Sequence, residues 1–324
     1  MSAGGGTLTA GGDCPACGGR VLPWRQDLPG LDPGDPGRYA LARCQSCATA
    51  VTMGPPPGPE RYETGIYRPG RPLLAPVIAL AQRLVDRQVL GLLRSGGIGP
   101  GEAVLDAGAG RGRLVAMLRH AGYRASGLEP SARGLAAARQ AGTPVAHGTI
   151  EEHAATALDA VILWHVLEHL DDPRGGLERV RAWLAPGGIA VIAVPNLGSV
   201  QARLAGDGWL HLDLPRHRTH LTPTGLEALV RRAGLEPVRS VHMVWEHNPG
   251  GMWMALMARA HLEEPGLPFL LLKRTLEPTP RRLAALVFGL PLIVPAIGLE
   301  ALAAGRRRGG TLAMVVRATP GDRP

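Results

Sequence analysis

Lysine is all but missing: Lys273 is the only one among 35 basic side chains, and the rest are arginine. Aromatic residues make up 4% of the 324 residues. No basic run is interleaved with them, which argues against a nucleic-acid groove. The formal charge is +8, but the arginines are dispersed along expected helices, apart from Arg306 to Arg308, as on a solvated surface. Met1 to Ala10 holds neither a basic start nor an apolar core, so no secretory signal is expected there. Cysteine is limited to four residues, expected to stay reduced in a cytoplasmic setting.

What is abundant is glycine and proline, 45 and 30 residues. Much of the excess is local, in Gly4 to Gly12, Pro29 to Gly37 and Pro55 to Pro59, which read as loops or linkers. The cysteines form two Cys-x-x-Cys knuckles, Cys14 with Cys17 and Cys44 with Cys47. Each knuckle brings two thiolates to one ion, and together they complete the four-sulfur shell of a closed structural zinc site. Disulfides or a redox pair are the alternatives. A zinc ribbon is expected over 1–54, then a linker and an apolar covering helix over 55–95, with Tyr67 packing in the linker or closing over a ligand.

The chain's organising stretch is Val104 to Gly112. An apolar strand ends in Asp106, a turn follows with Gly108, Gly110 and Gly112 around Ala109, and a helix begins at Arg113. Such a turn lets a nucleotide-like cofactor approach the backbone beside free helical N–H groups. A dinucleotide fingerprint needs glycines at i, i+2 and i+5; here they fall at i, i+2 and i+4, and Arg113 holds the i+5 position. A second βα unit places Glu129 at a strand tip, where a carboxylate accepts hydrogen bonds from two ribose hydroxyls. Further units follow, with strands over Pro144 to Ala146, Asp159 to Trp164 and Ile189 to Val194. Glu151 and Glu152 are expected to open a helix. Ala185-Pro-Gly-Gly188 is read as a tight turn. His165, Glu168 and His169 form a metal or acid/base candidate, or merely orient a loop.

The repeated βα order implies a Rossmann-like, doubly wound, mostly parallel sheet with helices on both faces. Asp106 to Gly112, Glu129, the His-x-Leu-Glu-His-Leu-x-Asp-Pro stretch from His165 to Pro173 and Leu-x-Pro-Gly-Gly from Leu184 to Gly188 together resemble the ubiquinone-biosynthesis-type branch of class I S-adenosylmethionine (SAM) methyltransferases. The resemblance covers about Leu73 to Ser240; the cofactor-binding core is expected over 96–245, and a return strand near Thr311 to Ala318, followed by a tail to 324, completes it. It implies that the Asp106 to Gly112 turn holds the methionine and ribose portion of SAM, that Ile150 edges the adenine, and that His165 lies beside the sulfonium. Relatives carry Pro-x-His before a helix, which makes His217 the base candidate; a histidine that only bonds its own loop is the alternative.

One segment stands outside that pattern. About sixty residues, 246–310, separate the sixth strand from the last, where a hairpin is expected. They include the apolar Leu283 to Leu299, broken by Pro291 and Pro295 and flanked by Arg281, Arg282 and Arg306 to Arg308. A bent helix on an anionic membrane surface and a helical cap or dimer face both fit. The sequence thus points to a cytoplasmic SAM-dependent methyltransferase acting on a small-molecule or lipid- or glycan-linked acceptor, through oxygen. The rivals are a zinc-ribbon adaptor for nucleic acid or protein with a relict cofactor fold, and an NAD(P)-dependent oxidoreductase or epimerase. The oligomeric state is left open.

Overall fold

The computed structural model describes residues 12–63, 75–246, 248–262 and 264–319. Met1 to Ala10 and Tyr67, both named above, lie outside them.

The N-terminal part is a small antiparallel sheet of β1 (Val21–Pro29), β2 (Arg38–Cys44) and β3 (Ala50–Thr52). The helix α1 (Ala75–Ser95) follows and buries Val85, Val89, Leu92 and Leu93. The core then runs β4 (Ala103–Ala107), α2 (Arg113–His120), β5 (Arg124–Glu129), α3 (Ala132–Gln140), β6 (Val145–His147), β7 (Leu158–Trp164), α4 (Pro173–Trp183) and β8 (Leu184–Pro195). Next come α5 (Val200–Ala205), β9 (Thr219–His220), α6 (Pro223–Arg232), β10 (Leu235–Val241), α7 (Asn248–Arg259), α8 (Leu267–Leu272), α9 (Pro280–Gly289), α10 (Ile293–Gly305) and β11 (Thr311–Ala318). Seven strands form one sheet in the order β10-β11-β8-β7-β4-β5-β6, and only β11 runs antiparallel to its neighbours. This is the Rossmann-like, doubly wound class that the βα repeat implies.

The pleat divides the core. In β8, Ile189, Val191 and Ala193 pack toward α1 and α2, while Ala190, Ile192 and Val194 pack with Leu177 and Val180 of α4 and Leu226 and Leu229 of α6. Local capping sets the helix starts: Ser131 accepts from Gly134 N, Asp172 from Gly175 N ahead of Pro173, and Thr222 from Gly225 N ahead of Pro223.

Three local expectations change. No helix begins at Glu151 and Glu152, where Thr149 Oγ1 accepts from Glu152 N at 3.3 Å in a turn. Residues 185–188 do not separate strand from helix; they bulge within β8, because Leu184 pairs with Leu158 and Ile189 already pairs with Ala160. The ribbon's sheet does not end at residue 54 either. Strand β9, from the core, pairs with β3 through Ala50–His220 and Val51–Thr219 and becomes its fourth strand.

The insert is helical. α9 and α10 are joined by one turn over Leu290–Leu292, so that Pro280–Gly305 runs as a helix of 26 residues, long and apolar enough to cross a membrane. Its inner stripe is small, with Ala285, Gly289, Ala296 and Ala303 buried against the body. Glu300 is fully buried there and accepts from Gln201 Nε2 at 2.8 Å, Asn248 Nδ2 at 2.6 Å and Gly310 N at 2.8 Å. A carboxylate with three donors is costly to extract, so the helix is tied along the protein.

Candidate active site

The carboxyl ends of β4, β5 and β7 open onto a cavity of about 490 Å³. Gly108, Gly110, Glu129, Ile150 and His165 all line it, together with His169 and Arg133. Asp106, Ala109 and Gly112 stand behind this wall. Gly108, Gly110 and Gly112 have φ of +84°, +54° and +76°, which L side chains rarely adopt. A Cβ on Gly108 would strike Val166 at 2.4 Å and one on Gly112 would strike Thr143 at 2.7 Å, whereas one on Gly110 meets nothing within 4 Å. The turn is thus packed on two sides and open on the side of the cavity.

Glu129 ties the turn to the next helix. Its Oε2 accepts from Gly110 N at 2.7 Å and its Oε1 from Ser131 N at 2.9 Å. Each carboxylate oxygen keeps a second lone pair, which suits vicinal hydroxyls entering the cavity. Asp106, 3% exposed, is raised to about 7, chiefly by burial and further by the charge of Glu129, against the pull of Arg113. Arg113 itself opens α2 and pairs with Asp86 of α1.

The opposite wall is built of histidines. His165, at the tip of β7, holds φ +58°, a strained value for a residue with a side chain. Its Nδ1 lies 3.1 Å from Glu168 Oε1. Burial alone would favour the neutral ring, but that bond and the Glu168 charge outweigh it and hold the His165 pKa above its ordinary value. His169 lines the cavity, and its Nδ1 donates to the Arg216 carbonyl at 3.1 Å.

His217 does not reach the cavity wall. It is buried behind His169, ring centroids 4.7 Å apart, with Nδ1 donating to the His211 carbonyl at 2.9 Å. Burial, then the neighbouring His169 and His220, push its pKa well below the ordinary histidine value. Glu168, His169 and His217 each bring one donor atom within 4.8 Å of the others. The triad that converges therefore contains His217 in place of His165.

The four cysteines converge as well. Cys14 and Cys47 Sγ atoms are 3.7 Å apart, and those of Cys17 and Cys44 3.5 Å. These distances are far beyond a disulfide of about 2 Å. They are close to the edge of about 3.8 Å of a tetrahedron of sulfurs around a zinc ion with bonds of about 2.3 Å. The hydrogen bond between Cys14 and Cys47 lowers the Cys47 pKa to about 4 and raises that of Cys14.

The profile of a family described as a methyltransferase domain matches residues 78–240, just over half of the chain. The chain belongs to this methyltransferase family. A ubiquinone biosynthesis O-methyltransferase of Cereibacter sphaeroides is 32% identical over 174 residues, covering 49% of this chain and 69% of that protein. A malonyl-[acyl-carrier protein] O-methyltransferase of Serratia marcescens is 32% identical over 149 residues, covering 45% and 56%. The solved magnesium protoporphyrin IX methyltransferase of Synechocystis, with bound SAH, is 18% identical with a TM-score of 0.44, covering 54% and 83%. The methyltransferase is a SAM-dependent enzyme, and an open glycine turn and a strand-tip carboxylate, groups suited to a nucleoside ligand, face the cleft at the ends of β4 and β5.

Several residues of the methyltransferase site escape sequence reasoning. Glu63, in the linker, accepts from Ala132 N at 2.8 Å and Arg133 N at 3.2 Å, and so caps α3 from 69 and 70 positions away at the edge of the cavity. Arg216, fully buried, pairs with Asp213 and with Asp32 of the ribbon. Nothing in the local pattern announces either pair. His169 was legible as part of the His165 to Pro173 stretch, but not that its ring lines the cavity while His217 packs behind it.

Asp106 yields a pH test. Folded Asp106 keeps its proton up to about pH 7, whereas the unfolded chain releases it near pH 3.9, as a rough reference. Between those values the folded state binds more protons, so stability falls as pH rises, by at most about 1.4 kcal/mol per unit. Urea unfolding of the Asp106→Asn variant at about pH 5 and about pH 7 is expected to show a smaller loss than the wild type. Equal losses would refute a buried, protonated Asp106.

Proposed function

We propose that this methyltransferase moves the methyl group to a hydroxyl oxygen of a small-molecule or lipid- or glycan-linked acceptor, with His169 receiving the acceptor's proton. The observation that carries the reading is the His169 ring on the cavity wall, oriented there by its Nδ1 bond to the Arg216 carbonyl. The names of the relatives, both O-methyltransferases, support oxygen as the accepting atom. When bound, SAM supplies an electrophilic methyl carbon on a sulfonium. The protein's contribution is then alignment and proton removal.

In this reading Glu129 holds the ribose hydroxyls and Ile150 lies along the adenine. The turn from Gly108 through Ala109 and Gly110 to Gly112, backed by Asp106, takes the methionine and ribose portion. His165, braced by Glu168, walls the methyl end. His217 packs its ring on His169 and holds it in place. Cys14, Cys17, Cys44 and Cys47 hold a structural zinc ion in a reducing, cytoplasmic compartment, as their sulfur spacing supports.

The enzyme works as a peripheral protein on the inner face of an anionic membrane. Among the described residues, eight of the ten exposed large apolar side chains belong to α9, α10 and the turn between them, with Phe288 70% and Val294 77% exposed. Each such residue gains about 1.5–3 kcal/mol on full burial. The helix is about 39 Å long at 1.5 Å per residue, and the buried Glu300 holds it against the body. It therefore lies in the interface instead of spanning, with Arg306 to Arg308 exposed at one end for acidic headgroups.

Two measurements test these readings. Incubation with SAM carrying a labelled methyl group and a panel of phenolic and lipid-linked alcohols is expected to give an O-methyl product by mass spectrometry. His169→Ala is expected to lower kcat by about 10²–10⁴ while SAM still binds; a labelled N- or C-methyl product, or full activity in the variant, would overturn this assignment. In flotation, the wild type is expected to rise with phosphatidylglycerol vesicles and not with phosphatidylcholine, and Phe288→Glu/Val294→Glu is expected to remain below. Equal behaviour of the two proteins, or a stable dimer that needs this face and ignores vesicles, would refute membrane docking.

A further inference from the structure

We propose that the cysteine knuckles set the acceptor wall of the active site, and that Thr52 is the positioning residue that connects them. This rests on the reading above that His169 receives the acceptor's proton and that His217, in the histidine-rich loop 211–220, holds its ring in place.

That loop has little regular structure of its own. Between α5 and α6 the chain makes only two single-turn helices, Gly206–Gly208 and Leu210–Leu212, and the two-residue strand β9. Its histidines nonetheless are held in fixed contact, His217 against His169 at 4.7 Å and His220 against His217 at 6.3 Å. Burial drives the His220 pKa down to about 3, helped by Arg218 and Arg25, so its ring is neutral and acts as a structural group. Order in such a segment has to be supplied from outside.

The outside partner is the ribbon. Thr52, fully buried at the end of β3, donates its hydroxyl to the His217 carbonyl at 2.5 Å and its backbone N–H to the Arg218 carbonyl at 2.9 Å. Its Oγ1 also lies 3.0 Å from His220 Nε2, which donates to it once the hydroxyl proton is committed to His217. One side chain thus bonds two of the loop's histidines across 165 and 168 positions. A second tie starts on the knuckle itself: Thr222 Oγ1 donates to the Cys47 carbonyl at 2.6 Å while accepting from Gly225 N, so a cysteine residue anchors the cap of α6 just past β9. Arg218 adds a bond to the Gly54 carbonyl at 2.7 Å.

The cofactor cleft is tied by other residues, among them Glu63 of the linker, which caps α3. Its turn is held by Glu129, Gly110 and Ser131 within the core. Loosening the knuckles therefore acts on one wall and spares the other. The histidine wall is the part of the site that metal occupancy governs.

Hydrogen exchange of the full-length protein tests this without an acceptor. Peptides covering 211–222 and 104–135 are to be compared in zinc-loaded wild type, chelator-treated wild type, Thr52→Val and Thr52→Ser. Both chelation and Thr52→Val are expected to speed exchange of 211–222 by about tenfold or more, while 104–135 changes little. Thr52→Val is expected to keep its zinc and its SAM affinity, and Thr52→Ser, which keeps the hydroxyl, to restore protection. Unchanged exchange of 211–222 in Thr52→Val would overturn the proposal. So would equal loss in both regions on chelation, which would make the ribbon a general folding element. Failure of the loaded wild type to bind SAM would instead defeat the cofactor assignment and leave the exchange result to stand by itself.

Discussion

The bidentate hold of Glu129 on two backbone amides is the constraint on which the cleft depends. A turn that leads from a strand into a helix has backbone N–H groups with neither a ladder nor a helical partner, and they stay unpaired unless a side chain returns to them. Glu129 gathers Gly110 N and Ser131 N at the tips of two adjacent strand-to-helix units. By doing so it fixes the glycine turn in its open form and presents carboxylate lone pairs to the cavity. The same burial that makes those bonds strong raises the neighbouring Asp106, which Glu129's charge pushes up further. Stability and ligand geometry are thus properties of one electrostatic arrangement.

Around that cleft the chain has assembled two further layers. The ribbon is stitched to the core by β9, by Thr52 and Thr222, and by the buried Arg216, which meets Asp32 on one side and Asp213 on the other. The helical insert is stitched by Glu300 to α5, α7 and the start of β11. In each case a polar group that would be costly to leave unpaired fixes the orientation, while apolar packing supplies bulk attachment. The apolar outer face of α9 and α10 is what remains when that inner stripe is satisfied by small residues.

Much of this was legible because it is local. Glycine spacing, the cap residues Ser131, Asp172 and Thr222, and the two cysteine knuckles each act over a few positions, and the sheet order follows from repeated βα units. The residues that resisted reading act over long separations. Thr52 and His217 are 165 positions apart and Arg216 and Asp32 are 184 apart. No periodicity encodes such a pair, because each partner satisfies its own local pattern without the other. His217 illustrates the limit: its motif was visible, but the ring that meets the cavity is His169, a choice made by how β9 and the ribbon turn the loop. The bulge at 185–188 is similar, since a Pro-Gly-Gly sequence suits a turn and a bulge equally until the register with β7 decides.

Calorimetric titration with SAM and with its demethylated product, on the wild type and on Glu129→Ala, tests the central assignment most directly. The account expects saturable binding to the wild type and a loss of about 1.5–3 kcal/mol, roughly ten- to hundredfold, in the variant, with the far-ultraviolet spectrum unchanged. Absence of binding to the wild type, or equal affinity in the folded variant, would contradict it.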